Sequence, residues 1–292
     1  MHPNRNLPGI VAMVTGAALF SAMDAGLKLL SPHYPALQVT SLRSLASLPL
    51  VCAFVAWRGA FVGMLRVRWP LHALRAVLGV VMLAAFVYGL RHLALAEAYA
   101  IFFVAPLLIT ALSVPFLGER VDAARWLAIG VGFSGVLVVL RPSGSGLLTL
   151  AGLAILASAV CYAISAIAIR ILGRTDSMEQ LMFWLIALLA ASSTALALPG
   201  WVPVRAADTG LIIAIGISGF LGQYCVTYAF RHGEASAIAP FEYTALAWGL
   251  SLDRIVWQTS PDHYTLLGAT IIIASGVYLA RRERIHAETE HP

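Results

Sequence analysis

Glu242 lies two residues after Pro240 in AIAPFEYTALAWGLSLD (residues 237–253), a stretch that is otherwise largely apolar. A charge at the centre of a membrane helix costs about 2.5–3.5 kcal/mol on insertion scales, so an acid in such a segment points to a task. Two kinds of chemistry suit it: neutralising a substrate amine, or taking up and releasing a proton. Proline has no backbone N–H, so Pro240 frees a carbonyl nearby; a broken helix beside a carboxylate suits a segment that lines a cavity. Asp253 follows Glu242 by eleven residues, roughly three turns, which puts both acids on one face of a continuous helix. Its neighbour Arg254 is the partner expected for it.

Three further charges fall inside apolar segments. Asp24 and Lys28 are one turn apart, a spacing that predicts mutual neutralisation, with Asp24 still deep enough to face a cavity beside Ser21. Arg43 has Thr40 and Ser47 on nearby turns. Its guanidinium fork could bind a substrate carboxylate, snorkel outward, or pair with Asp24. Tyr99, Phe103 and Pro106 share a face, and Gln223, Tyr224, Tyr228, Tyr243 and Trp248 lie in two later segments. Such groups suit a ligand with flat or apolar parts and a few polar atoms, and equally suit helix packing and interfacial belts.

The elements that must carry these residues follow from composition. The 292 residues are 60% hydrophobic and 11% charged, with mean hydropathy +0.85, against about 25% charged in a soluble domain. Lipid is the solvent such a surface needs. The formal charge of +5 comes from basic residues placed mostly at segment ends, a membrane pattern rather than a nucleic-acid footprint. Three cysteines without CxxC spacing, and eight histidines at loops, tails and segment ends, imply no disulfide framework, metal or cofactor. GxxxxGK[ST], GxSxG and HExxH are all missing from the sequence, so neither ATP hydrolysis nor a familiar enzyme chemistry is expected.

Ten segments have the length and character of membrane helices: 8–30, 36–57, 71–90, 97–117, 125–140, 148–169, 178–198, 210–230, 236–256 and 264–280. Short connectors with turn residues, such as Ser31-Pro32 and Pro199-Gly200, join them. Thirteen lysines and arginines fall on the side of the N-terminus and five on the other, which predicts cytoplasmic termini. Arg75 is counted among the charges around the 2–3 loop. Two stretches recur: EAYAI (97–101) as EASAI (234–238), and SGVLVVLR (134–141) as SGVYLARR (275–282). Gln38 and Gln180 fall at equivalent depths, as do Lys28 and Arg170. Five segments per repeat is an odd number, so the second repeat enters the bilayer from the opposite side. The expected fold is an all-α membrane protein of ten transmembrane helices in two inverted five-helix repeats, 8–141 and 148–281, with a tail at 282–292.

LGERVDAARWLAIGVGFSGVLVVLRP (117–142) and SPDHYTLLGATIIIASGVYL (260–279), each closing a repeat, resemble the drug/metabolite transporter superfamily with two EamA-type repeats. APFEYTALAW and the PD-x-x-T-L-L-G-A run (261–269) are similar to members related to S-adenosylmethionine uptake carriers. One departure is that Gln258 stands where the family usually has a glutamate closing the ninth segment, as Glu119 closes the fourth. The resemblance implies a secondary transporter of a small organic solute in the bacterial inner membrane, coupled to protons or working by exchange, as a monomer or homodimer. A site offering Glu242 and Arg43 suits a zwitterion, such as an amino acid or an amino-acid-derived metallophore. Export is the expected direction; uptake of S-adenosylmethionine, a vitamin or a nucleoside-like solute is the alternative. A polytopic enzyme acting on lipids is the competing class, and the clustered surface acids or histidines it needs are missing from the sequence.

Overall fold

The computed structural model describes residues 7–60, 63–117, 123–140, 149–232 and 239–290, and every regular element among them is helical. The helices are α1 (Leu7–Leu30), α2 (Ala36–Trp57), α3 (Trp69–His92), α4 (Leu95–Phe102), α5 (Ala105–Leu117), α6 (Ala123–Leu140), α7 (Leu150–Leu172), α8 (Met178–Ala197), α9 (Thr209–His232), α10 (Thr244–Leu252) and α11 (His263–Glu290). Among the described residues seven spans are long and apolar enough to cross a membrane, counting 95–116 as one; the apolar parts of α6 and α11 are shorter. Large apolar side chains cover the outside, among them Val77, Leu127, Leu153, Ile213 and Leu267. In water this would be a severe liability, and in a bilayer it is what the acyl chains require.

Two expectations need correction. The fourth segment is not continuous: it stops at Phe102 and restarts at Ala105. Pro106 sits in the first turn of α5, where a missing N–H leaves no bond unmade. The ninth segment is a 3-10 turn at Ala239–Tyr243, then α10, then a π turn at Asp253–Trp257 that ends at Gln258 with φ 55°. Glu242 and Asp253 therefore do not share a face of one helix. Residues 282–290, within the expected tail, are helical and continue α11.

Packing inverts the usual soluble pattern. The first half of α2 buries Gln38, Thr40, Ser41, Arg43, Ser44 and Ser47. Lipid is as apolar as leucine, so helices in it are held by close packing and interhelical hydrogen bonds. Ser41 bonds the Thr194 hydroxyl on α8 at 2.6 Å, and Ser47 donates to the Gly216 carbonyl on α9 at 3.0 Å. The Gly216-Ile217-Ser218-Gly219 stretch permits that approach: a Cβ at Gly216 would lie 2.6 Å from that of Ala46. The principal packing partners are α1 with α9, α3 with α7, α2 with α8, and α6 with α11. The α2–α9 contact and the α3–α8 contact come next, with α5 on α7 and α10 on α1 and α4.

The loops are held by capping chemistry. Ser177 and Gln180 form a reciprocal capping box at the start of α8. The Gln180 amide also donates to the Gly63 carbonyl at 2.8 Å. Gln38 makes the corresponding contact on the other connector, donating to the Val202 carbonyl at 2.6 Å and accepting from its N–H at 2.8 Å.

Candidate substrate site

Asp24, on α1, is buried and accepts a hydrogen bond from the Tyr99 hydroxyl of α4 at 2.8 Å. Its expected partner Lys28 turns elsewhere: the ammonium lies 3.5 Å from Asp253 and 4.4 Å above the Trp257 ring. Asp253, at 1% exposure, does not pair with the exposed Arg254. It accepts the N–H groups of Leu95 and Ala96 at 3.1 and 2.8 Å, while Glu97 accepts that of Ala94 at 3.0 Å. The first turn of any helix has N–H groups with no partner inside the helix, and its dipole favours negative charge there. Asp253 is thus a cap supplied to α4 from a distant segment, which ties α1, α4 and the end of α10 together.

Arg43 on α2 is also buried, and its Nε lies 3.0 Å from the sulfur of Met23. It feels the charge of Asp24 but is not within 4 Å of it. The Arg43 side chain lies at the α1–α2–α9 junction, where Gly219 leaves room. Ser21 Oγ, on α1, is buried with no hydrogen-bond partner.

An aromatic row leads away from Asp24. Tyr99 stacks on Phe86 and Phe103, with ring centroids 6.4 and 6.3 Å apart. Phe103, at the break between α4 and α5, meets Tyr243 edge-on at 5.0 Å. Glu242 precedes Tyr243 in the same 3-10 turn. It is half-buried, its charge acts on Tyr162 and Tyr243, and it takes no hydrogen bond from any described residue. The Tyr243 hydroxyl is buried without a partner. The two interrupted segments therefore meet at their breaks, with one satisfied carboxylate and one unsatisfied one on either side.

Gln223 and Tyr224 stand apart from this group. Tyr224 packs against Phe54 at 5.7 Å and Tyr228 at 6.4 Å. Gln223 bonds Thr227 at 3.2 Å, and both border a void of ≈ 20 Å³ next to Arg75. Arg75 is not a loop charge, as its place in the sequence had implied; it is 2% exposed. One turn earlier His72 is fully buried against Asp176 at 2.8 Å. This cluster went unrecognised because His72 and Arg75 lie near a segment end, although their i, i+3 spacing was a signal. Among the described residues no group of acids, histidines or cysteines could hold a metal. Glu119 and residues 234–238, part of the repeat and of the resemblance, lie outside the described residues.

The EamA-like transporter family matches twice, over residues 7–141 and 149–281. The pseudopaline exporter CntI of Pseudomonas aeruginosa is 28% identical over 94% of this chain and 97% of its own. A riboflavin transporter of Rhizobium johnstonii is 30% identical over 73% and 70%. An S-adenosylmethionine uptake transporter of Rickettsia conorii is 27% identical over 98% and 96%. A solved crystal structure shares the fold, with TM-score 0.66 at 21% identity over 94% of this chain and 96% of that one. The chain is a member of the EamA-like transporter family.

Proposed function

We propose that the protein is a secondary transporter that moves a small zwitterionic metabolite across the bacterial inner membrane by alternating access, in the direction of export. The observation that carries this reading is the meeting of the two interrupted segments, where Glu242 has no hydrogen-bond partner among the described residues, together with the burial of Asp24 on α1 and Arg43 on α2. A carboxylate without a partner suits an amine or a proton, and a guanidinium fork suits a carboxylate. Tyr99, Phe103 and Tyr243 form a continuous aromatic row from Asp24 to the turn that holds Glu242.

The inverted repeat has support from packing. Exchanging the halves sends α1 to α7, α2 to α8 and α3 to α9. The α1–α9 contact then becomes the α7–α3 contact, and α2–α9 becomes α8–α3, all of which are prominent. Phe103 and Tyr243 touch across the centre, and their separation of 140 residues matches the repeat spacing. Gln38 and Gln180 each hold the connector of the other half. Two halves of opposite direction can exchange shapes, which gives outward-open and inward-open states of comparable energy. Cytoplasmic termini are supported by the excess of basic residues on that side, which persists when the buried Arg75 is removed from it. Proton coupling or exchange is the energy source in this reading.

The named exporter among the relatives favours export, and the named uptake carriers support import as the second reading. Reconstitution tests the core of the proposal. A thermal-shift screen against amino acids, metallophores, nucleosides and vitamins selects the solute. In liposomes preloaded with it, labelled solute should enter by saturable counterflow without ATP. Flux that rises linearly with concentration, or chemical conversion of the solute, would contradict the proposal.

A further inference from the structure

Arg75 is the largest fully buried side chain among the described residues, and its donors are poorly satisfied. One terminal nitrogen reaches the Leu181 carbonyl at 3.4 Å, and Nε has no partner. The nearest acid does not meet the need. Asp176 is held by His72 at 2.8 Å and by the Thr175 hydroxyl at 2.6 Å, and it is not within 4 Å of Arg75. A guanidinium taken out of water with most of its donors unused is costly unless an acceptor arrives. Next to it lies the void of ≈ 20 Å³, whose other polar walls are Gln223 and Thr227. That is room for about one water, or for one carboxylate oxygen.

The void has a fixed relation to the site proposed above. Arg43 lies over Gly219 of α9, and Gln223 is one turn further along the same helix. Two guanidinium groups therefore attend one stretch of α9, about 6–12 Å apart along its axis at 1.5 Å per residue. We infer that Arg75, with the Gln223 amide that Thr227 orients by accepting from its Nε2 and donating to the Gln223 backbone carbonyl, forms a second anion subsite, so that the transported solute carries two carboxylates, one for each arginine. This rests on the zwitterion reading of Arg43 and Glu242 and narrows it to amino acids and derivatives with an additional acidic group.

The full-length protein in detergent tests it by calorimetric titration with L-alanine, L-aspartate, L-glutamate and L-2-aminoadipate. At least one of the three dicarboxylates should bind tenfold or more tightly than alanine. Arg75→Gln should bring that ratio close to one, and Thr227→Val should reduce it. If Arg75→Gln does not fold, Arg75→Lys, which keeps charge but not the fork, should give an intermediate ratio. Equal affinity for alanine and the dicarboxylates in the wild type would overturn the second subsite and leave the zwitterion reading intact. So would a preference that survives Arg75→Gln. Failure of all four to bind would overturn both.

Discussion

Asp24 lies in a helix long and apolar enough to cross a membrane and Glu242 in the interrupted 239–257 stretch, and the surroundings of these two acids differ in kind. Asp24 is buried, bonded to the Tyr99 hydroxyl and within the field of Arg43. Glu242 is half-buried, sits in a 3-10 turn, and has no hydrogen bond from a described residue. A satisfied carboxylate in low dielectric holds helices in place, because taking away one partner leaves the other buried and unpaired. An unsatisfied one is open to a ligand or a proton. The pair teaches that depth alone does not separate an acid that braces the fold from one left open to a ligand; the state of its hydrogen bonds does.

Substitutions can break that contrast. In the largest effect expected, Glu242→Gln lowers proteoliposome flux roughly 100-fold, equivalent to about 2.7 kcal/mol, while insertion and melting temperature stay near wild type. Asp24→Leu should do the reverse in emphasis, with a loss of folded stability of about 3 kcal/mol as the Tyr99 hydroxyl loses its charged acceptor and Arg43 the negative charge near it; Asp24→Asn should retain most of the flux. Asp253→Asn should cost about 1.5–3 kcal/mol, since charge-assisted bonds to the first turn of α4 are lost, and hydrogen exchange at Leu95 and Ala96 should accelerate. Tyr99→Phe should have the smallest effect, about 1 kcal/mol of stability, read as a modest fall in melting temperature. Equal effects of Glu242→Gln and Asp24→Asn on flux would erase the distinction between the two acids.

Much of the architecture was legible in the sequence because lipid leaves a chain few choices. A run of about 20 apolar residues has to satisfy its backbone internally, so it forms a helix; residues 36–57 coincide with α2, and 178–198 nearly with α8. Gln38 and Gln180, which the sequence sets at like depth, bind the connectors at Val202 and Gly63. The break at Phe103 was harder to see, since FFVAP is apolar throughout and Pro106 marks a start as readily as a kink. Charge partners were the least legible. Local spacing pairs Lys28 with Asp24 and Asp253 with Arg254, whereas the fold brings Lys28 to Asp253 across 225 residues. Arg75 was misjudged for a related reason: distance from a segment end does not reveal which neighbouring helix covers a side chain.

The contrast between the two acids can be read directly by accessibility. With Cys52, Cys161 and Cys225 replaced by alanine, Glu242→Cys and Asp24→Cys would be exposed in membranes to a water-soluble, membrane-impermeant thiol reagent. The account predicts that Glu242→Cys is labelled, that bound solute protects it, and that Asp24→Cys reacts far more slowly. Labelling at position 24 with none at position 242, or labelling at 242 that saturating solute leaves unchanged, would contradict it.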